Sequence, residues 1–191
     1  MRAHENPFRT ARIGRLAFRH PTLSVPEIAA RWRALGCRGA IVGPHGSGKT
    51  TLLRELGARL AGEGLRARHW FLGARTPLPS VSSLVREARR LGAGDVLLFD
   101  GAGHLPRLAW WRVARACRGA GGLLVTAHAA GRLPTLLETG TTPWLAAELT
   151  RELAGPAADA LDPLLRELYE RHAGNLHEVF LALYDQGARD A

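Results

Sequence analysis

The chain has 191 residues, a hydrophobic content of 46% and a formal net charge of +9 at pH 7, values that fit one globular domain or one domain with a small appendage. No apolar run is long enough to predict a membrane-spanning helix. Residues 1–6 are charged and polar without an apolar stretch, so we expect no secretory signal and a cytoplasmic location.

The basic charge has two interpretations. A positive excess is typical of proteins that bind nucleic acid, an acidic protein or an anionic membrane surface. However, Lys49 is the only lysine, and the abundance of arginine, alanine, glycine and leucine indicates the coding bias of a GC-rich genome. The charge therefore gives only weak support to a nucleic-acid partner.

The N-terminal part of the chain predicts an irregular basic lead-in over residues 6–21, followed by a capped helix. Ser24 can cap this helix, because Pro26 and Glu27 fall in its first turn. Apolar residues at roughly helical spacing then precede a terminating glycine: Ile28, Trp32, Leu35 and Gly36.

Short apolar segments alternate with helical patterns along the rest of the chain. The predicted strands are residues 38–42, 67–72, 95–100, 122–126 and 135–138. Helices follow the first three strands, one of them capped by Ser80 after Pro77 and Pro79 and one begun by Pro106. Further helices are predicted over residues 143–153, 162–172 and 175–185.

Strands that alternate with helices and are apolar throughout indicate a parallel sheet covered on both faces. We therefore expect an α/β fold, a three-layer αβα sandwich with a mostly parallel five-stranded sheet and a C-terminal helical lid. Residues 1–140 would form the α/β core with its basic lead-in, and residues 141–191 the helical lid or tail. Gly155 and Pro156 mark the predicted hinge.

The segment IVGPHGSGKTTLL carries the most specific pattern in the chain. It matches G-x-x-x-x-G-K-S/T between a strand and a helix, a pattern that binds nucleoside triphosphates. Its glycines let backbone N–H groups face the phosphates, Lys49 supplies a positive charge at the β- and γ-phosphates, and Thr50 offers a hydroxyl to Mg²⁺. The residues predicted to bind ATP are Gly43, Pro44, His45, Gly46, Ser47, Gly48, Lys49, Thr50 and Thr51.

The strand VLLFD ends in Asp100, which we expect to hold Mg²⁺ together with Thr50. In many P-loop ATPases a glutamate that polarises the attacking water comes next, but here the residue is Gly101. Hydrolysis would then be slow or absent, or His104 or His128 would orient the water, or a partner would supply the missing group. Weaker candidates for this role are Glu138 and Asp95, the latter expected at the surface or as a cap.

If only the water-orienting group is missing, Gly101→Glu is expected to raise turnover. Thr126 and His128 end the strand LLVTA and are candidates to sense the γ-phosphate.

Arg132 follows and is either an arginine finger toward a neighbouring subunit or, as we favour, a solvated surface residue. Of the adjacent Trp110 and Trp111, we expect one in the core, whereas the other could contact a partner or stack on a base.

The chain resembles the AAA+ and related ATPases of the additional-strand P-loop class from Asn6 to about Tyr184. The segment DGAGHL is similar to their D-E-A-x-x-L segment, LLVTAH to a sensor-1 strand, and HAGNLHEVFLALYD to a lid segment whose sensor-2 arginine would fall at His177. The NPF lead-in resembles that of secretion-associated and transposition-helper ATPases. The resemblance implies ATP, Mg²⁺ and a helical lid.

The sequence thus predicts an AAA+-like protein that binds ATP and ADP, a Mg²⁺-dependent ATPase that couples its nucleotide state to a protein partner, a second copy of itself or a nucleic acid. The alternative is a nucleotide-binding switch that does not hydrolyse ATP, which Gly101 motivates. A small-molecule kinase is less favoured because no substrate-binding motif is recognisable. A transporter ATPase is rejected because the chain has no LSGGQ-like stretch.

Overall fold

The computed structural model describes residues 6–73 and 81–189. In chain order, the helices and strands are α1 Thr10–Ile13, α2 Val25–Ala34, β1 Arg38–Val42, α3 Lys49–Gly62, β2 Arg66–Phe71, α4 Val81–Ala88, β3 Asp95–Asp100, α5 Arg107–Ala116, β4 Gly122–Ala127, β5 Thr135–Glu138, α6 Pro143–Ala154, α7 Ala158–Arg171 and α8 Leu176–Arg189. No helix within the described ranges is both long enough and apolar enough to cross a membrane.

The five strands form one sheet in the order β2-β3-β4-β1-β5, and every neighbouring pair is parallel. The predicted α/β class and five-stranded sheet are therefore confirmed. Because all strands run in the same direction, the residues that end β1, β3, β4 and β5 lie at one edge of the sheet. Two of the site residues predicted from the sequence, Asp100 and Thr126, lie at the ends of neighbouring strands β3 and β4.

Apolar side chains cover both faces of the sheet. On β3, Val96 and Leu98 pack into a core with residues of α2 and α3, whereas Leu97 and Phe99 pack into a core with residues of α4 and α5. Successive residues of a strand point to opposite faces, so a strand buried on both faces needs apolar residues without alternation. This explains the run VLLF and the three-layer architecture.

Strand β2 departs from the expectation that all strands are apolar. It lies at the edge of the sheet, and Arg66, Arg68 and His69 are exposed. An edge strand has a neighbour on one side only, and charged residues there discourage pairing with another chain. The strand also begins at residue 66, one position earlier than predicted.

Most helix boundaries agree with the sequence patterns, and Ser24 caps α2 as predicted. Its Oγ accepts from Glu27 N (3.4 Å), and Ser24 N donates to Glu27 Oε2 (2.7 Å). Helix α7 begins at Ala158, four residues before the predicted position, so that Pro163 lies inside the helix rather than at its start. The 3₁₀ turn Gly155–Ala157 separates α6 from α7 at the predicted break. The predicted cap Ser80 and the breaks Pro77 and Pro79 lie outside the described residues.

Contacts divide the described chain into two compact units. One contains the sheet and comprises Phe18–Gly43 and Lys49–Glu138. The other comprises the described parts of Met1–Ala17, Pro44–Gly48 and Thr139–Ala191.

The second unit has its own apolar core, formed by residues of α6, α7 and α8 together with Phe8. Phe8 stacks on Phe180 with ring centroids 6.0 Å apart, and Asn6 Nδ2 donates to the carbonyl of Tyr184 (2.9 Å). The described part of the lead-in thus packs with the C-terminal helices, although the sequence patterns grouped it with the α/β core.

Candidate functional site

The continuous segment from Gly43 to Thr50 joins β1 to α3. Gly46 and Gly48 have φ angles of 69° and 85°, a left-handed conformation that disfavours any residue with a Cβ atom. Helix α3 begins at Lys49, so its first backbone N–H groups have no partner within the helix and point toward the loop. The dipole of the helix adds positive potential at the same end.

Contacts within the helical unit hold the tip of this loop. A Cβ atom built on Gly46 would lie 2.0 Å from Asn175 Oδ1 and 2.7 Å from the backbone nitrogen of Leu176. Ser47 Oγ donates to the carbonyl of Pro44 (2.8 Å) and lies 2.7 Å from Thr139 Oγ1. Because a hydroxyl has one proton to give, Thr139 is the donor to Ser47.

The contact between Gly46 and Asn175 was not predicted, although the glycine and the asparagine were each noted as parts of separate motifs. No local signal in a single sequence pairs two residues that lie so far apart along the chain. Pro44 and His45 are exposed in the loop, whereas Thr51 is half-buried in the first turn of α3.

Lys49 is buried, with 9% of its surface exposed. Its Nζ donates to the carbonyl of Gly43 (2.8 Å). Burial lowers the pKa of the Lys49 ammonium because desolvation disfavours the charged form, and the negative charge of Asp100 partly opposes this shift. A partly desolvated cation at the start of a helix is a favourable partner for a phosphate group.

Asp100 accepts hydrogen bonds from two hydroxyl groups. Thr50 Oγ1 donates to Asp100 Oδ2 (2.8 Å), and Thr126 Oγ1 donates to Asp100 Oδ1 (2.5 Å). Thr126 Oγ1 also accepts from the backbone N–H of Gly101 (2.8 Å). Thr126 is 2% exposed, and its hydroxyl proton is committed to Asp100, so in this state Thr126 orients the carboxylate.

These side chains fit Mg²⁺ and a phosphate, the two groups that the sequence motif implies. A hydroxyl oxygen and a carboxylate oxygen are hard ligands of the kind that Mg²⁺ prefers, and Thr50 and Asp100 bring them within 2.8 Å of each other. Within the sheet unit, the N-terminus of α3 and the buried Lys49 suit an anion. The donor set is therefore chemically suited to a metal-bound phosphate.

Gly101 has no room for a side chain. Its φ angle is 84°, and a Cβ atom would lie 1.9 Å from the carbonyl oxygen of Leu72. The segment of Leu72 is itself paired with this turn, since Leu72 N donates to the carbonyl of Asp100 (2.9 Å). A glutamate could therefore enter at this position only if the backbone of the turn shifts, and whether Gly101→Glu raises turnover stays a prediction.

Two histidines lie at this edge of the sheet. The rings of His104 and His128 are 5.9 Å apart between centroids in an edge-to-face arrangement, and His128 Nδ1 lies 3.2 Å from the carbonyl of Gly43. His128 is exposed and His104 is half-buried. The carbonyl of Gly43 also accepts from Lys49, so His128 shares an acceptor with the lysine of the loop.

The other two candidates for orienting water differ in position. Glu138 ends β5 and is exposed. Asp95 begins β3, about 16 Å along the strand from Asp100, and is therefore not part of the site. It is also buried rather than at the surface, because its carboxylate accepts from Arg66 Nε (2.9 Å), Arg68 Nε (3.3 Å) and the backbone N–H of Gly92 (2.8 Å).

Arg132 has a structural role that neither interpretation of the sequence described. Its Nη2 donates to the carbonyls of Leu105 (2.5 Å) and Gly103 (3.1 Å), and its guanidinium lies 5.9 Å from the ring centroid of Trp110. Trp110 Nε1 donates back to the carbonyl of Arg132 (3.1 Å). Arg132 is thus partly buried rather than solvated, and it stabilises the segment after β3 through hydrogen bonds to two of its carbonyls.

The two adjacent tryptophans divide as expected. Both belong to α5: Trp110 is buried in the core, with 7% of its surface exposed, whereas Trp111 is 59% exposed. At the lid segment, His177 occupies the sensor-2 position of the resemblance and is an exposed residue of the first turn of α8.

Comparisons with known proteins do not identify a family for this chain. No protein-family model matches the sequence, and the comparison with curated proteins found no match. The function is therefore argued from the motif and from the contacts described above.

Proposed function

We propose that this chain binds ATP with Mg²⁺ through the loop at residues 43–51 and Asp100, and that it is an AAA+-like Mg²⁺-dependent ATPase. The observation that carries the proposal is the hydrogen bond between Thr50 Oγ1 and Asp100 Oδ2 (2.8 Å), which joins the end of the P-loop pattern to the acidic strand. Lys49, the only lysine of the chain, is buried next to Thr50. A hydroxyl, a carboxylate and a cation are thus gathered at one end of the sheet.

The proposed roles follow from the chemistry of each group. Lys49 and the N–H groups of the loop bind the β- and γ-phosphates, and the oxygens of Thr50 and Asp100 hold the metal. Mg²⁺, when bound, neutralises charge on the phosphate oxygens. Thr126 holds the carboxylate of Asp100 in one orientation through its 2.5 Å hydrogen bond, as partners of metal ligands commonly do.

The sheet order supports the resemblance to the additional-strand class. Strand β4 lies between β1, which leads into the P-loop pattern, and β3, which ends in Asp100. This is the kind of inserted strand after which the class is named. The C-terminal helices α6, α7 and α8 occupy the part of the chain that the resemblance assigns to a lid.

We propose further that the nucleotide state is passed to the C-terminal helices and from there to a partner. The loop residues Pro44–Gly48 belong to the helical unit by their contacts, while the residues on either side of them along the chain belong to the sheet unit. Gly46 lies against Asn175, and Ser47 bonds Thr139. A loop that moves when it binds phosphate would therefore change contacts at the start of α8. The partner would be a protein, a second copy of this chain or a nucleic acid.

A phosphate-release assay with purified protein tests the proposed activity. The wild type is expected to release phosphate from ATP faster than Lys49→Ala, and chelation of Mg²⁺ is expected to reduce the rate to that of the variant. Arg31→Ala, which changes an exposed basic residue of α2, is the matched control and should keep the wild-type rate. Equal phosphate release by the wild type and Lys49→Ala would contradict the ATPase.

A nucleotide-binding switch that does not hydrolyse ATP is the second candidate, and the backbone at Gly101 favours it. No side chain fits at the position where many P-loop ATPases carry their glutamate. If hydrolysis occurs, His104 or His128 is the candidate group to orient water, because both lie at this edge of the sheet, and removing that group is expected to slow turnover by about 100-fold or more. The switch is supported if the wild type binds ATP but shows no turnover above Lys49→Ala.

A further inference from the structure

The outer surface of α4 and α5 carries a basic groove of about 450 Å³ within the sheet unit. Four arginines line it together with Trp111, and the remaining lining residues are one valine and one alanine, Val85 and Ala116. The arginines are Arg89, Arg112, Arg115 and Arg118. Among the described residues that line the groove there is no carboxylate, so its charge is positive and locally uncompensated.

The geometry of α5 places these groups in one stripe. Trp111, Arg115 and Arg118 are spaced by four and three residues, so they fall on the same side of the helix and its following turn. This stripe extends for about 10 Å along the helix axis. Arg89, just after α4, faces it across the groove. No ion pair with a described residue engages any of these arginines.

Trp111 is unusual for so large an apolar side chain because 59% of its surface is exposed. The guanidinium of Arg115 lies 5.8 Å from the centroid of its ring, a distance at which a cation is attracted to the indole face. The exposed ring therefore lies among the arginines. General enrichment in arginine explains many basic residues in this chain, but it does not explain an exposed tryptophan beside them.

We propose that this groove binds single-stranded nucleic acid, with the arginines on the phosphates and Trp111 stacked on a base. Proteins that bind single strands combine a positive groove with aromatic rings that stack on successive bases. In a duplex the base faces are already stacked, so an exposed indole favours a single strand. An acidic peptide would satisfy the arginines, but its carboxylates would leave the exposed ring unused.

Fluorescence anisotropy with a labelled oligothymidylate tests the site in the absence of nucleotide. The wild type is expected to bind at low salt. Trp111→Ala is expected to weaken binding by about tenfold because it removes one stacked base, whereas Trp111→Phe, which keeps a ring, should restore most of the affinity. Trp144→Ala is the matched control, since Trp144 is also exposed but lies on α6.

The arginines are tested through the salt dependence of binding. The double variant Arg112→Ala/Arg118→Ala keeps both Trp111 and Arg115 and removes two proposed phosphate contacts. The slope of log affinity against log salt should therefore become shallower by about 1.4 for a single strand. Arg31→Ala is the control for loss of charge elsewhere. Melting temperatures of all variants are expected to match the wild type because the substituted side chains are exposed.

The proposal is overturned if the wild type does not bind the oligothymidylate at low salt, or if Trp111→Ala binds it as tightly as the wild type does. It is also overturned if polyglutamate or a duplex of equal length binds more tightly than the single strand. Lys49→Ala is expected to bind the oligothymidylate normally without nucleotide. Failure of the P-loop proposal would therefore leave this result unchanged, and the two proposals fail separately.

Discussion

Gly46 and Gly101 are two residues of the site at which the backbone leaves no space for a side chain. At Gly46 the obstacle is Asn175 and the start of α8, and at Gly101 it is the carbonyl of Leu72. Both residues also have positive φ angles, which cost other residues roughly 1–2 kcal/mol. The absence of a side chain at these positions is thus a structural requirement with consequences for function.

Gly46→Ala is expected to lower both stability and ATP affinity. The new Cβ atom would force the loop away from Asn175 Oδ1 and from the nitrogen of Leu176, and the φ angle of 69° adds roughly 1–2 kcal/mol. Thermal unfolding and nucleotide titration measure the two effects. Asn175→Ala should not rescue the variant, because the backbone of Leu176 still obstructs the Cβ atom.

Gly140→Ala is the control for the Gly46 experiment. Gly140 lies in the same unit, has no heavy atom within 4 Å of a built Cβ and does not have a positive φ angle. This control should behave as the wild type. If Gly46→Ala also kept the wild-type melting temperature and ATP affinity, the proposed packing of the loop against α8 would be wrong.

Gly101→Glu is expected to lower the melting temperature without raising ATP turnover. The Cβ atom would overlap the carbonyl of Leu72 at 1.9 Å, so the turn after β3 must shift and take Asp100 with it. Differential scanning fluorimetry and phosphate release test this. Gly62→Glu, at the open end of α3, is the control; a stable Gly101→Glu with higher turnover would refute the account of this turn.

At the scale of the elements, Asp95 joins the edge strand β2 to the start of β3. Its carboxylate accepts from Arg66 and Arg68 of β2 and from the backbone N–H of Gly92. The hydrogen bond from Arg66 is the largest cause that lowers the pKa of Asp95 well below its ordinary value of 3.8. The ionised form is therefore favoured by folding, and folding is favoured by ionisation.

Asp95→Asn is expected to lower the melting temperature at neutral pH. Because the folded pKa is depressed, the stabilisation is complete above the ordinary value of 3.8 and is lost as the pH falls toward the folded pKa. The difference between variant and wild type should therefore shrink on acidification below pH 3.8. Asp159→Asn, whose side chain is 86% exposed, should show no difference; a pH-independent gap for Asp95→Asn would contradict the ion pair.

Ser24→Ala is expected to destabilise the protein by about 1 kcal/mol, because it removes the side chain that caps α2. For a domain of this size such a loss lowers the melting temperature by about 2–4 °C. Thermal unfolding measures it, and Arg31→Ala, at an exposed position of the same helix, is a control that leaves the cap intact. No change in the melting temperature would mean that the capping box contributes nothing.

The sequence predicted the elements that are set by local chemistry. The run VLLFD predicted β3, and Ser24 with Glu27 predicted the start of α2. It did not predict the exposed character of β2, because the place of a strand in a sheet depends on pairing with distant segments. For the same reason the contact of Gly46 with Asn175 and the hydrogen bond of Thr126 to Asp100 were not predicted.

At the scale of the whole molecule, the P-loop segment is shared between two units. Its flanking residues Gly43 and Lys49 belong to the sheet unit, and Pro44–Gly48 belong by their contacts to the helical unit. The chain therefore passes from the sheet unit into the helical unit at Pro44 and back at Lys49. Under the proposed function, a change on ATP binding would be passed to the C-terminal helices along the backbone at these two crossings.

Isothermal titration of Mg²⁺·ATP into the wild type and Lys49→Ala tests the central claim most directly. The wild type is predicted to bind one ATP per chain, with affinity that falls when Mg²⁺ is removed. Lys49→Ala is predicted to lose measurable binding while Arg31→Ala keeps it. No binding of ATP by the folded wild type, or equal binding by wild type and Lys49→Ala, would contradict the assignment of this loop as a nucleotide site.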